Sequence, residues 1–214
     1  MSRPQILLTN RIPSSVVARL EALGDVERYS PEGVDVMPHD ELVARVRGKQ
    51  VVVCLITDAI DRAVLESGAD LRLVANVGVG FNNIDVTTAK ARGVLVTNTP
   101  GVLDDSTADL AWTLMLATAR RLTEVEANIR NGEWTGWRLK QWLGVDVHHA
   151  TLGIIGMGRI GQAIAKRAGG FDMRVIYHNR KPLDAAIEKR LNASYVTQDE
   201  LLAQSDFIIL QMPY

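Results

Sequence analysis

Short apolar runs alternate with amphipathic, helix-like patterns over the first hundred residues of the chain. The run at 51–56 is continuous and mostly β-branched, which is typical of a strand buried on both faces. Gly24, Gly48 and Gly93 each follow a helical pattern and predict its end, Gly24 in the C′ position. This alternation predicts a parallel sheet with helices on both faces. We expect strands at 5–8, 51–56, 71–76 and 94–97, and helices at 14–23, 40–46, 61–67 and 86–92.

The segment Asn-Thr-Pro-Gly at 98–101 breaks this rhythm and predicts a boundary between domains 1–98 and 99–214. Beyond it, Ser106 to Asp109 resembles a capping box, so a long helix should run to about Arg121. A second α/β pattern begins at Thr151. We expect strands at 151–155, 174–178, 195–196 and 207–211, and helices at 160–168, 183–190 and 198–203. The fold class is therefore α/β, with two doubly wound parallel-sheet domains.

Composition narrows the class of protein. The formal net charge of −1 gives no general attraction for nucleic acid or a membrane surface. The single Cys54 lies in an apolar run, so it reads as a small buried hydrophobe and permits no internal disulfide. No apolar run approaches the roughly 18 residues of a membrane span. The apolar run near the start of the chain is too short for a secretory signal. We expect a soluble cytoplasmic protein without a metal site.

The sequence Gly-Met-Gly-Arg-Ile-Gly at 156–161 follows a predicted strand and precedes a predicted helix. This is the context in which a G-x-G-x-x-G turn binds a dinucleotide. Gly156 allows the tight turn, Gly158 lets the backbone approach a pyrophosphate, and Gly161 lets the helix sit close to the strand. Free N–H groups at the helix start then hold the anion.

The residues after the second strand of this unit favour one coenzyme over the other. NAD-binding domains usually carry an acidic residue here, for the ribose 2′-hydroxyl. This chain instead has His178, Asn179, Arg180 and Lys181. The two cations would neutralise a 2′-phosphate and the two polar residues would donate hydrogen bonds, so NADP is preferred and NAD stays possible. The alternative is an ordinary solvated basic loop.

A second glycine-containing segment, at 76–83, follows the carboxyl end of a predicted strand, where open α/β sheets bind ligands. Gly78 and Gly80 leave main-chain N–H groups uncovered, which suits a small carboxylate. From the residues alone a plain tight turn is at least as good an interpretation. The stretch 123–148 holds Trp134, Trp137 and Trp142 in a mostly polar setting, so these side chains either meet another chain or pack on their own domain.

Together these segments resemble the D-isomer-specific 2-hydroxyacid dehydrogenases, most closely the glyoxylate/hydroxypyruvate reductase branch. The matching pieces occur in family order and span nearly the whole chain; they lie at 77–85, 97–103, 106–111, 131–134 and 153–161. The resemblance implies a flavodoxin-like substrate-binding domain at 1–98 and a Rossmann NAD(P)-binding domain at 99–214. It also implies the reduction of a small 2-ketoacid by hydride transfer.

Site residues carry over from the resemblance by position. Val79 and Gly80 match a backbone clamp on the substrate carboxylate, and Leu55 lines the same pocket. Trp137 matches a tryptophan that reaches the neighbouring subunit's active site, which implies a homodimer formed through 105–148. The implied coenzyme contacts outside the three glycines are Thr107, Arg159, Ile160, Met212 and Pro213.

One departure from the family is large. The arginine, glutamate and histidine that carry the family's chemistry lie beyond residue 214, so the Rossmann domain is expected to be incomplete and the chain truncated and inactive alone. None of the four histidines (His39, His148, His149 and His178) is favoured as a catalytic acid. Two alternatives stay open: a non-catalytic dinucleotide-binding or dimerising protein, and a sensor of the NAD(H) ratio.

Overall fold

The structure, a computed structural model, describes residues 3–29 and 36–212. The chain divides into two units, Met1–Pro100 and Gly101–Tyr214, each with a parallel sheet of its own. The division falls inside the Pro-Gly pair that interrupts the sequence pattern, two residues after the expected boundary at 98. No helix in the described residues is both long and apolar enough to cross a bilayer.

The first unit alternates strands and helices along the chain. Its elements are β1 Gln5–Leu8, α1 Ser14–Leu23, β2 Asp25–Arg28, α2 His39–Arg45, β3 Val51–Leu55, α3 Arg62–Ser67, β4 Leu73–Val77, α4 Val86–Ala91 and β5 Leu95–Thr97. Over the described residues the sheet order is β2-β1-β3-β4-β5 and every pair is parallel. This is the flavodoxin-like order, so the expectation for this unit is confirmed.

Successive side chains of β1 point to opposite faces of the sheet and enter different cores. Leu7 packs with Leu42 of α2 and Leu65 of α3 on one face. Ile6 packs with Val17 of α1 on the other. The central strand β3 is buried in the same two-sided way, which is why its sequence reads as a continuous apolar run.

The second unit begins with two helices and continues as an α/β half. Its elements are α5 Asp104–Ala119, α6 Leu122–Arg130, β6 Thr151–Ile155, α7 Arg159–Ala168, β7 Arg174–His178, α8 Ala185–Leu191, β8 Ala193–Tyr195, α9 Gln198–Gln204 and β9 Phe207–Leu210. Over the described residues the order is β8-β7-β6-β9, all parallel. The order matches the corresponding strands of a Rossmann sheet, so two parallel α/β sheets are confirmed.

Helix α5 is held against α7 by both apolar and charged contacts. The Trp112 ring stacks on Phe171 with 4.7 Å between centroids, and its Nε1–H donates to the Ile164 carbonyl at 3.1 Å. At the surface, Arg167 of α7 pairs with Asp109 and Asp105 of α5. These contacts fix the long helix beside the helix that starts at the glycine turn.

The structure corrects the predicted start of the long helix. It begins at Asp104 after Leu103, and no side chain of the described residues caps its first turn, so the expected capping box at Ser106 does not form. Asp104 and Asp105 in the first turn place negative charge at the positive end of the helix dipole instead. The helix ends at Ala119, before Arg121 adopts a left-handed conformation (φ 55°) and α6 begins.

Other elements also differ from expectation. Strand β2 and helix α6 have no counterpart among the predicted elements, because short half-exposed segments carry a weak apolar pattern. Gly24 is extended rather than left-handed; it is required because a Cβ there would clash with the Pro4 carbonyl. The last strand, β9, lies at the edge of the described sheet with Ile208 and Leu210 exposed.

Candidate coenzyme and substrate site

The glycine turn joins β6 to α7 and uses its three glycines in three different ways. Gly156 has φ +101°, a conformation that side chains rarely adopt, and a Cβ there would clash with the Gln211 carbonyl. A Cβ on Gly161 would clash with the Gly156 carbonyl, so its absence lets α7 approach the turn. A Cβ on Gly158 would meet no described atom within 4 Å. Gly158 therefore faces open space, where a ligand can reach the backbone.

The backbone donors of the turn fall into two groups. Gly156 N–H donates to the His178 carbonyl at 3.0 Å, and Met157 N–H donates to Asn179 Oδ1 at 2.7 Å. By contrast, the N–H groups of Gly158, Arg159 and Ile160 meet no acceptor in the described part of the chain. Free donors at the positive end of α7 make an anion site, so the turn fits a pyrophosphate.

The side chains of Arg159 and Ile160 differ in exposure although both residues begin α7. Arg159 is exposed, whereas Ile160 is half-buried and packs against the core of the unit. Only the backbone of Ile160 therefore remains for a ligand at the turn.

Two of the residues expected to donate to a phosphate are engaged with the protein itself. His178 Nδ1 lies 3.0 Å from the Val196 carbonyl, so this nitrogen carries the proton and donates it. Asn179 accepts from the turn through its side chain, and its carbonyl accepts from the Tyr195 hydroxyl at 3.2 Å. The edge of β7 and the glycine turn are thus one hydrogen-bonded unit.

Arg180 and Lys181 lie just past β7 and are exposed. Within residues 3–29 and 36–212, no side chain or backbone group forms an ion pair or hydrogen bond with either cation. No carboxylate occupies the first position after β7, since that residue is Asn179. The loop therefore presents positive charge that the described protein does not neutralise.

The remaining expected coenzyme residues lie elsewhere in the second unit. Thr107 is half-buried on α5, where it lines an apolar groove of about 510 Å³ between α5 and β9 that ends at Gln211. Met212 is exposed just after β9. Pro213 lies outside the described residues. Trp137 lies in the arm after α6 and is 81% exposed.

The substrate residues of the first unit meet at the carboxyl ends of two paired strands. Leu55 ends β3 and is in register with Val77, which ends β4 just before the glycine segment. The N–H groups of Val79 and Gly80 have no acceptor among the described residues. Their carbonyls are occupied: Asn98 Nδ2 donates to Val79 O at 2.8 Å, and Asn76 Nδ2 donates to Gly80 O at 2.7 Å.

A buried polar network lies beneath this turn, and sequence reasoning did not identify it. Asn83 Nδ2 donates to Leu55 O (3.2 Å), Asp58 O (3.0 Å) and Asn76 Oδ1 (3.3 Å). The Asp58 carboxylate accepts from the Thr9 hydroxyl at 2.6 Å and from Leu55 N–H at 2.7 Å. These bonds hold together the carboxyl ends of β3 and β4 beside the turn. The available signal was the concentration of asparagine after β4.

Cys54 belongs to the same network and is unreactive at neutral pH. Its thiol donates to Asn76 Oδ1 at 3.5 Å, and the side chain is buried. Burial, together with the nearby Asp58 carboxylate, raises the pKa of Cys54 to about 12. The thiol is therefore a structural donor and not a nucleophile at neutral pH.

The three histidines outside β7 also contact other side chains. His39 pairs with Asp61 at 3.1 Å, and the rings of His148 and His149 meet edge to face. No cluster of His, Cys, Asp and Glu able to hold a metal ion occurs in the described residues.

Comparison with known proteins agrees with this geometry. The sequence model for the NAD-binding domain of D-isomer specific 2-hydroxyacid dehydrogenases matches residues 112–214. The chain is 44% identical over 215 aligned positions to a glyoxylate reductase of Thermococcus kodakarensis, covering 99% of this chain and 64% of that protein. The chain belongs to the D-isomer-specific 2-hydroxyacid dehydrogenase family.

Solved structures support the same assignment. The TT0316 protein of Thermus thermophilus superposes with a TM-score of 0.87 at 38% identity, over 98% of this chain and 65% of that one. An NADPH-dependent glyoxylate/hydroxypyruvate reductase of Sinorhizobium meliloti, in complex with NADP and malonate, gives 0.82 at 31%, over 99% and 63%. This chain thus spans about 64% of the length of the curated relatives it matches.

Proposed function

We propose that this chain carries the coenzyme and substrate sites of an NADPH-preferring reductase of small 2-ketoacids such as glyoxylate and hydroxypyruvate. The observation that carries the proposal is the glycine turn with free N–H groups, followed at the end of β7 by two cations without protein partners among the described residues. The Sinorhizobium relative, named for NADPH and both of these acids, supports it.

In this proposal the second unit binds the coenzyme. The N–H groups of Gly158, Arg159 and Ile160 hold the pyrophosphate, and Arg180 and Lys181 hold the 2′-phosphate. Thr107 and Met212 contribute further contacts. When bound, NADPH supplies the hydride; the residues of this chain only orient it.

The first unit binds the substrate. The carboxylate of the ketoacid accepts from the N–H groups of Val79 and Gly80, a pair of donors fixed by the asparagines behind them. Leu55 forms the wall of the pocket. A ligand with one small carboxylate and a short chain fits these donors, which matches the substrates named for the relatives.

The proton donor for the reduced carbonyl is not one of the four histidines in this proposal. His39 is paired with Asp61, His178 donates to Val196 O, and His148 and His149 contact each other. The 214-residue chain is therefore expected to bind NADPH without reducing glyoxylate.

We also propose a homodimer formed through 105–148, with Trp137 serving the partner's site. The arm after α6 exposes Trp134, Trp137, Leu139 and Leu143, a concentration of apolar area that solvent alone does not favour.

The test is a calorimetric titration of the chain with NADPH and NADH. NADPH should bind at least about tenfold more tightly, and Arg180→Ala should remove most of that difference while leaving NADH binding nearly unchanged. Arg174→Ala is the matched control, because Arg174 is an exposed cation at the opposite end of the same strand. Equal affinity for both coenzymes in the wild-type chain contradicts the proposal.

A further inference from the structure

Tyr177 is fully buried in β7, yet both partners of its hydroxyl come from the segment that follows the strand. The hydroxyl accepts from Leu183 N–H at 2.7 Å and donates to Glu188 Oε1 at 2.7 Å. The ring lies in the core of the second unit, edge to face with Tyr195 at 5.6 Å. The hydroxyl, the only polar atom of the Tyr177 side chain, thus holds the following loop against the sheet.

That loop carries Arg180 and Lys181, the two cations that have no partner among the described residues. Its first residue, Asn179, is tied to the glycine turn through Met157 N–H at 2.7 Å. Its last residue, Leu183, is tied to the Tyr177 hydroxyl. Arg180 and Lys181 therefore lie in a short span anchored at both ends.

We propose that Tyr177 is a positioning residue for the coenzyme's 2′-phosphate, because it fixes the far end of the loop that presents Arg180 and Lys181. The proposal rests on the NADPH preference proposed above. A loop that is ordered before binding loses less conformational entropy when its cations bind a ligand. Its affinity for that ligand is therefore higher. The effect is confined to ligands that carry the 2′-phosphate, because the Asn179 anchor is a hydrogen bond to Met157 N–H in which the Tyr177 hydroxyl takes no part.

The hydroxyl is suited to this role at all physiological pH values. Burial raises the pKa of Tyr177 to about 12, so the group stays protonated. It can then donate to Glu188 and accept from Leu183 at the same time.

The test compares two probes that differ by one phosphate, 2′,5′-ADP and AMP, by calorimetry on the 214-residue chain. Tyr177→Phe keeps the buried ring and removes the hydroxyl. It should weaken 2′,5′-ADP binding by about 3- to 10-fold, the effect of the one hydrogen bond that holds Leu183, and leave AMP binding unchanged. Tyr29→Phe, at a buried tyrosine of the first unit, is the matched control and should change neither affinity.

Glu188 supplies a second test that leaves the core untouched. Glu188→Gln keeps an acceptor for the hydroxyl, whereas Glu188→Ala does not, and both variants lose the same charge. The proposal expects weaker 2′,5′-ADP binding in Glu188→Ala than in Glu188→Gln, with equal AMP binding. This pair decides the matter if Tyr177→Phe fails to fold.

The outcomes separate the two proposals. If the wild-type chain binds 2′,5′-ADP no better than AMP, the coenzyme preference is wrong and the role of Tyr177 falls with it. If the wild type discriminates but Tyr177→Phe discriminates equally well, or loses both ligands in the same proportion, only the positioning role is overturned.

Discussion

Met157 N–H donates to the Asn179 side-chain oxygen at 2.7 Å, which joins the glycine turn to the first residue after β7. The turn offers N–H groups that have no acceptor among the described residues and suit a pyrophosphate, and the loop after β7 offers positive charge suited to a ribose phosphate. A single side chain therefore supports one site and sets the charge at the beginning of the other. Substitutions at this position separate the two roles.

Asn179→Asp should reverse the coenzyme preference. A carboxylate still accepts from Met157 N–H, so the turn keeps its shape, but negative charge then lies beside the proposed 2′-phosphate site. NADPH affinity should fall by about tenfold or more through like-charge repulsion, and NADH affinity should rise because the acid accepts from the ribose hydroxyls. Calorimetric titration with both coenzymes measures the change.

Asn179→Ala is the companion variant. It removes the acceptor without adding charge, so both coenzymes should weaken by a similar factor. A loss confined to NADPH in the alanine variant would mean that Asn179 contacts the 2′-phosphate and does not support the turn.

Substitution by alanine should have different effects at Gly158 and at Gly161. Gly158→Ala adds a methyl group to open space at a backbone conformation that alanine tolerates (φ −76°, ψ −159°), so stability should change by less than about 0.5 kcal/mol. Binding of both coenzymes should nevertheless be lost, because the methyl group occupies the approach of the pyrophosphate.

Gly161→Ala should behave in the opposite order. Its methyl group meets the Gly156 carbonyl, and the free energy of unfolding should fall by about 1–3 kcal/mol from overpacking before any ligand is added. Urea denaturation and coenzyme titration of the two variants, side by side, test the contrast. Unaltered NADPH binding by Gly158→Ala would remove the pyrophosphate assignment.

Features whose residues are adjacent in the chain were predictable from the sequence, and features that depend on distant residues were not. The glycine turn was predictable because its spacing within 156–161 and its flanking apolar runs are adjacent in the chain. The buried strands β3 and β6 were predictable for the same reason. Strand β2 and helix α6 were not, because their exposed, mixed residues give no clear period. Tertiary packing, not local pattern, decides such elements.

The network behind the substrate turn illustrates the limit more sharply. Asn83 and Leu55 are distant in sequence, and their contact depends on the register of β3 against β4. The register of β3 against β4 cannot be deduced from the sequence alone. The asparagines after β4 were visible in the sequence, but their acceptors became known only from the fold.

Asn83→Asp tests how much this network contributes. The Nδ2 group of Asn83 faces three acceptors, and a carboxylate would oppose all three oxygens in a half-buried site. The free energy of unfolding should fall by about 3 kcal/mol. Asn82→Asp is the matched control, because Asn82 is the exposed neighbour and should change stability by less than about 0.5 kcal/mol. Equal effects of the two changes, measured by urea denaturation, would contradict the network's importance.

Cys54 predicts an alkaline loss of stability with a definite sign. Burial and the Asp58 carboxylate raise the pKa of the thiol from 9.0 to about 12, so the folded state keeps a proton that the unfolded state releases. Stability from this group is complete below pH 9 and declines between pH 9 and about 12, since only the unfolded chain forms the thiolate there. Between pH 8 and 10.5 the loss amounts to about 2 kcal/mol.

Cys54→Ala removes this titration. The difference in stability between the wild type and the variant at each pH therefore measures the contribution of the thiol. The variant should be less stable than the wild type at pH 8, because Asn76 Oδ1 loses one of its two donors and a small cavity forms. On raising the pH to 10.5, however, the wild type should lose about 2 kcal/mol more than the variant, so the gap between them narrows. Tyr177, whose pKa is also raised, is present in both proteins and cancels in the comparison. Parallel losses in urea denaturation at the two pH values would mean that the thiol ionises equally in the folded and unfolded chain.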